Sequence, residues 1–326
     1  MEKTYWQPVS PNIWQGRDDS QEDSSAKRMF QTINKETFFN PENHSGEIAL
    51  LGFSCDEGVK LNKGRTGAKD APDNIRKALA NFASHPPVYP LVDFGNILCE
   101  GDNLPHSQRI FSDHIKACQQ NKMKTLVLGG GHETAFAHGL GLYEAHPDSV
   151  VGIINFDAHL DIRTTKDSSS GTPFKQLADY CKTNNRPFNY LCVGASLAAN
   201  TQALLTTAKE LEVSIIWDTD CHLGNLQIIT SQIKSFIETT DIIYLTIDLD
   251  VLPAGNMYAV SAPSALGVEP VFLLNLLPAI IESGKLNAAD VVEFNPSLDR
   301  DMECARVASR FVWQIFHEWQ KGKAFK

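Results

Sequence analysis

The chain has 326 residues, 42% of them hydrophobic, and a formal net charge of −10, enough apolar material for one large α/β core, although length alone would allow two domains. The acidic balance and the lack of any run of five or six basic residues give no reason to expect a nucleic-acid or membrane partner, which leaves a small molecule as the expected one. The opening segment, MEKTYWQPVSPNIWQGRDDS, lacks the layout of a signal peptide, and the longest apolar stretch, VFLLNLLPAII, is too short and too interrupted to span a bilayer, so a cytoplasmic protein is expected.

Residues 1–45 are polar and rich in turn formers, which predicts an arm or extended lead-in; residues 46–326 are expected to form a single catalytic domain. Eight strand-like runs follow in order: EIALLGF, VYPLVDFG, KTLVLG, VVGIINF, NYLCVGA, VSIIWD, DIIYLTID and ADVVEF. Helical patterns lie between several of them, for example PDNIRKALANFA, SQRIFSDHIKACQQ, TQALLTTAKEL and TSQIKSFIETT. The alternation predicts an α/β fold with a mostly parallel sheet and helices on both faces; periodicity does not give the strand order. The seven cysteines are scattered and never form a C-x-x-C pair, so neither a disulfide framework nor a zinc ribbon is expected, and most should be buried thiols. Cys55, just after the first strand and near the expected pocket mouth, is read as a plain buried thiol, with redox sensitivity as the alternative.

Three clusters carry the chemistry: His132 in GGGHE, Asp157, His159 and Asp161 in DAHLD, and Asp248 and Asp250 in TIDLD. Each follows a strand-like run, so each ligand should sit at the carboxyl end of a buried parallel strand, where open α/β sheets bind ligands. A lone Asp or His there is ordinarily a cap or turn residue. Six of them, with spacings i, i+2 and i+4, predict a two-metal site. Oxygen-rich donors with two imidazoles suit hard-to-borderline divalent ions, Mn²⁺ foremost, rather than thiolate-bound zinc. Gly129, Gly130 and Gly131 are expected to let the backbone turn sharply through positive φ so that His132 can reach a metal. The run lacks the patterns of a phosphate-binding loop.

GGGHE, FDAHLD and TIDLDVLPA, followed by VVEFNP, resemble the ureohydrolases: arginases, agmatinases, guanidino-acid hydrolases and formimidoylglutamases. The resemblance runs from about Gly52 to Pro296 and implies an arginase-like three-layer α/β/α sandwich around an eight-stranded parallel sheet. It implies two Mn²⁺ ions per subunit, one held by His132, Asp157, Asp161 and Asp248 and the other by Asp157, His159, Asp248 and Asp250. It also implies attack by a metal-bridging hydroxide on an amidine or guanidine carbon. Asp161 would align that nucleophile and pass a proton to the leaving amine, and Glu293 would orient the substrate cation. Kinship alone suggests a homo-oligomer.

Two departures bear on specificity. Ser170 stands where arginases and agmatinases typically carry a proton-shuttling histidine; His138, His146 and His222 have no spacing that recommends them as substitutes and are expected at surfaces or helix ends. Arg163, two residues beyond Asp161, replaces a neutral asparagine and would attract a substrate carboxylate. With Asn62 and Arg65 in the loop after the first strand, these residues form the expected substrate-binding set. SSGTPF, DAHLDIR and the segment Trp14 to Asp18 resemble the formimidoylglutamase branch, which implies hydrolysis of N-formimidoyl-L-glutamate to L-glutamate and formamide in histidine breakdown. The alternatives are release of urea from arginine or a guanidino acid and, in a different class, a catalytically silent metal-binding scaffold.

Overall fold

Long runs of Val, Ile, Leu and Ala with no polar alternation can be satisfied only where both faces of a strand are covered, and they build the centre of this molecule. The computed structural model describes residues 5–86, 90–99, 101 and 103–324, with side chains as far as 320. Its strands are β1 (Trp6–Gln7), β2 (Asn34–Lys35), β3 (Ile48–Ser54), β4 (Leu91–Leu98), β5 (Lys124–Leu128), β6 (Val151–Phe156), β7 (Asn189–Ala195), β8 (Ser214–Trp217), β9 (Ile242–Asp248) and β10 (Leu286–Val292). They form one sheet in the order β1-β4-β3-β5-β10-β9-β6-β7-β8, with β2 also on β4. Every pairing is parallel except β1 with β4. Strands β3 to β10 coincide with the eight runs read from the sequence; the first two residues of VYPLVDFG, Val88 and Tyr89, lie outside the described residues.

The helices are α1 (Met29–Thr32), α2 (Glu57–Leu61), α3 (Ala71–Leu79), α4 (Leu104–Gln120), α5 (Thr134–Ala145), α6 (Pro173–Thr183), α7 (Gln202–Glu210), α8 (Leu226–Glu238), α9 (Pro270–Ile281) and α10 (Glu303–Ala324). Ile75, Ile233, Phe272 and Phe311 bring α3, α8, α9 and α10 into one core on one face of the sheet. Phe111, Tyr143, Phe174 and Leu204 place α4 to α7 over the other. The result is the three-layer sandwich. VFLLNLLPAII is helical, within α9, and buries one side through Phe272, Leu273, Leu276, Leu277, Ile280 and Ile281, and no helix among the described residues is long and apolar enough to cross a membrane.

Residues 5–45 contribute only short pieces of regular structure, and β1 and β2 cover the β4 edge that would otherwise be open for pairing. Trp14 anchors this segment: it is 3% exposed, and its indole N–H donates to Asp93 Oδ2 at 2.7 Å. Asp93 in turn receives Nε and Nη2 of the buried Arg76, both at 2.8 Å. All seven cysteines are free thiols, six buried and Cys99 partly exposed.

Candidate metal centre

Four neighbouring strands at the middle of the sheet, β5, β10, β9 and β6, end at one place and deliver the chemistry-bearing residues there. Asp248 closes β9, Asp157 follows β6 directly, Glu293 follows β10, and His132 stands on the turn after β5. The glycines before His132 act by close approach: a Cβ on Gly130 would lie 1.7 Å from the Cys55 carbonyl oxygen, and one on Gly131 would lie 2.2 Å from Glu133 Oε2. The expectation of positive φ in this run is corrected, because Gly129, Gly130 and Gly131 all lie outside that region. The left-handed backbone falls on Asp161 (φ 46°) and Glu293 (φ 69°) instead. Such conformations are uncommon for residues with a side chain and concentrate at functional sites.

The donor atoms fall into two groups. His132, Asp157, Asp161 and Asp248 place ligand atoms within 4.8 Å of one another, as do Asp157, His159 and Asp250. His132 Nδ1 lies 2.9 Å from Asp161 Oδ2, 3.1 Å from Asp248 Oδ2 and 3.3 Å from Asp157 Oδ2. His159 Nδ1 lies 3.1 Å from Asp250 Oδ2 and 3.5 Å from Asp157 Oδ1. Asp157 thus belongs to both groups. Asp248, expected to serve both ions, falls within the first group, and its Oδ1 accepts the backbone N–H of Asp250 at 2.8 Å, which ties it to a member of the second.

Neighbouring groups fix these ligands. Asn155 Nδ2 donates to Asp157 Oδ2 at 2.9 Å, and Thr246 Oγ1 sits 3.1 Å from His132 Nε2, so Nδ1 is the imidazole nitrogen turned to the carboxylates. Thr246 was not singled out in the sequence, although it is two residues before Asp248 and therefore on the same strand face.

The electrostatics call for cations. Burial pushes the carboxyls of Asp161, Asp248 and Asp250 up, and the charge of Asp157 adds to that for each of them. Burial opposes ionisation of Asp157 as well, but hydrogen bonds from His132 and His159 outweigh it and hold that carboxyl below its usual range. Asp250 Oδ1 is buried without a hydrogen-bond partner. Four converging aspartates with an orphaned oxygen and two imidazoles fit a pair of divalent ions such as Mn²⁺.

A cavity of about 290 Å³ opens onto this cluster, lined by His159, Asp161, Asp248, Asp250 and Glu293 together with Asn62, Lys63, Gly64, Arg163, Ser170, Leu204, Ser261 and Ala262. Glu293 is 5% exposed, accepts the His132 backbone N–H at 2.8 Å, and is pushed up to about 8 by burial and the nearby Glu133. Asn62 Nδ2 donates to Ser170 Oγ at 3.2 Å. Arg163 is exposed; a Cβ on Gly171 would come within 2.8 Å of its Cδ, so the glycine makes room for that side chain.

Arg65, expected to meet substrate, is not on this wall: its Nε donates to the Ser261 carbonyl at 3.1 Å and its Nη2 to the Val260 carbonyl. Lys63, in the same loop, lines the cavity instead. The histidines considered as substitute shuttles are all elsewhere. His138 departs from the expected surface or helix-end location, being wholly buried with Nδ1 2.6 Å from Asp290 Oδ2. His146 meets Gln119 Oε1 at 3.1 Å, and His222 is exposed away from the cavity.

A parallel sheet ending in two carboxylate-rich ligand groups that share an aspartate defines a binuclear metallohydrolase type of centre. The arginase family model matches residues 46–317, and the chain belongs to the arginase family. It is 53% identical to the formimidoylglutamase of Citrobacter koseri over 317 residues, covering 97% of this chain and 100% of that protein. It is 52% identical to the formimidoylglutamase of Photorhabdus laumondii over 314 residues, 96% and 99% of the two chains. Among solved structures, Trypanosoma cruzi formiminoglutamase with Mn²⁺ superposes with a TM-score of 0.79 at 22% identity, covering 92% of this chain and 99% of that one. Bacillus subtilis formimidoylglutamase superposes with a TM-score of 0.80 at 21% identity, covering 96% and 95%. At those identities the superpositions speak for the fold.

Proposed function

We propose that this chain hydrolyses N-formimidoyl-L-glutamate, adding one water to give L-glutamate and formamide. The relatives at 53% and 52% identity carry that activity in their names along essentially their whole length. The observation in this molecule that supports it is the charge layout of the cavity, with carboxylates gathered at the ligand cluster and Arg163 lining the same cavity. When bound, two Mn²⁺ ions supply a water whose pKa is lowered towards about 7, a nucleophile available at neutral pH.

The side chains do the rest. Glu293 receives the amidinium N–H groups, held in place by the His132 backbone N–H at 2.8 Å. Asp161, fixed by its left-handed backbone and by His132, orients the attacking water and carries its proton to the departing amine nitrogen. Arg163 takes a substrate carboxylate, with Asn62 and Ser170 as polar neighbours. Residues 46–326 act as one catalytic unit with the preceding segment as an arm, and seven free thiols suit the reducing cytoplasm.

Product analysis tests the reading. Mn²⁺-reconstituted protein is offered N-formimidoyl-L-glutamate, arginine, agmatine and 4-guanidinobutyrate. Glutamate and formamide from the first substrate alone are expected; urea from any of the others would overturn the specificity.

A further inference from the structure

N-formimidoyl-L-glutamate carries two carboxylates, and Arg163 alone leaves one of them without a cation. The segment from the last turn of α2 to the start of α3 holds four cations, Lys60, Lys63, Arg65 and Lys69, and three are placed otherwise. Lys60 pairs with Glu57 at 3.1 Å, Arg65 is spent on backbone carbonyls, and Lys69 lines a different cavity with Asp70 and Asp73. Lys63 lines the metal-site cavity, is exposed, and has no carboxylate partner among the described residues.

The backbone under Lys63 is held from several sides. Lys63 N donates to the Lys60 carbonyl at 3.0 Å and Gly64 N to that of Val59 at 2.8 Å, closing the end of α2. The Arg65 backbone N–H donates to Ser261 Oγ at 2.9 Å. Asn295, two residues past Glu293, donates Nδ2 to the carbonyls of Arg65 at 3.1 Å and Thr66 at 2.9 Å. Lys63 itself has φ 62°, a conformation that a helix end usually gives to glycine. Lys122 and Glu212 share it at other helix ends, so the angle by itself says nothing about function. Lys63 differs from them by lining the metal-site cavity.

Resting on the proposed substrate, we propose that Lys63 is the second specificity-determining cation of this site and binds the carboxylate that Arg163 does not. Arg65 and Asn295 are then positioning residues that hold the lysine's backbone against the strand end bearing Glu293. A flexible stem lets the ammonium reach the substrate as a point charge, while the planar guanidinium of Arg163 takes the other carboxylate.

The test pairs Lys63→Gly with two trimmed substrates, N-formimidoyl-2-aminobutyrate, which lacks the side-chain carboxylate, and N-formimidoyl-4-aminobutyrate, which lacks the α-carboxylate. Glycine relieves the left-handed backbone, so the melting temperature should equal or exceed that of wild type. With N-formimidoyl-L-glutamate the variant should show KM raised roughly 10- to 100-fold and kcat within about twofold, the pattern of lost uniform binding. For one of the two trimmed substrates, variant and wild type should have the same KM, identifying the carboxylate that Lys63 holds. Lys63→Arg should recover most of the loss and Lys63→Met none. An unchanged KM for the full substrate, or an equal rise for all three, would overturn the assignment. Failure of the wild-type protein to turn over N-formimidoyl-L-glutamate would instead sink the proposed function, and with it this role for Lys63.

Discussion

The carboxylate of Glu293 accepts the backbone N–H of His132 at 2.8 Å, and the backbone N–H of Glu293 donates to the Gly130 carbonyl at 2.8 Å. The ends of β5 and β10, neighbours in the sheet, are thereby tied together. The carboxylate proposed to face the substrate's cation is thus held by the loop carrying His132, and its position does not depend on a flexible partner.

Glu293→Gln keeps the volume and the oxygen that accepts the His132 N–H but removes the negative charge. We expect kcat/KM to fall about 10²- to 10³-fold, the range seen when one preorganised electrostatic contact is lost. Mn²⁺ content and melting temperature should stay at wild-type values. A matching loss of bound metal would show that the glutamate supports the ligand loop and does not act on substrate.

Chelation should destabilise the protein. Asp157, Asp161, Asp248 and Asp250 converge within two ligand groups, and without cations the two imidazoles and a few neutral N–H donors are left to offset their mutual repulsion. Ligand binding to the folded state alone contributes about 4 kcal/mol at a thousand times the dissociation constant. Calorimetric scans should therefore show a melting temperature several degrees lower in excess chelator, restored by Mn²⁺. Identical scans would mean that the cluster holds no ion.

The eight long strands were legible because each is a run of apolar residues between turn formers, and the ligand clusters because each stands where such a run stops. The helices were less so. α5 is buried almost all round and α9 is largely apolar even on its open side, where Val271 is 60% exposed, so neither carries a continuous polar stripe to mark its period. Strand order depends on which helices pack on which face, which local pattern does not encode. The histidine His138 was misplaced for a related reason: its partner Asp290 lies 152 residues away. Within the 62–65 loop, sequence offers two cations two residues apart, and only the folded contacts with Val260 and Ser261 separate Arg65 from Lys63.

Arg163→Asn tests the carboxylate role directly. Arg163 is exposed at the cavity, and its backbone N–H is pinned to the Gly171 carbonyl at 2.9 Å. Truncation should therefore leave the fold intact. KM for N-formimidoyl-L-glutamate should rise roughly 10-fold or more, with a weaker dependence on salt because a charge pair has gone. Unchanged steady-state constants would remove Arg163 from the binding set.

Trp14→Phe separates the arm's structural contribution from the chemistry. The indole N–H donates to Asp93 Oδ2 at 2.7 Å, and both Asp93 and Arg76 are essentially inaccessible, at 1% and 0% exposed. Phenylalanine keeps most of the ring contact but leaves a buried carboxylate with one donor fewer, and a hydrogen bond to a charged group contributes about 1.5–3 kcal/mol. Arg76 stays bound through two nitrogens, so the loss should remain near that range and below the cost of breaking the buried ion pair, about 3–5 kcal/mol. Urea unfolding should show a lower midpoint at an unchanged slope. The anchor lies on β4, outside the four strands that carry the metal ligands and Glu293, so kcat and KM measured below the unfolding transition should match wild type. An unaltered midpoint would mean that the arm adds nothing to stability through this contact, and altered kinetics in a fully folded variant would mean that the arm reaches the active cavity.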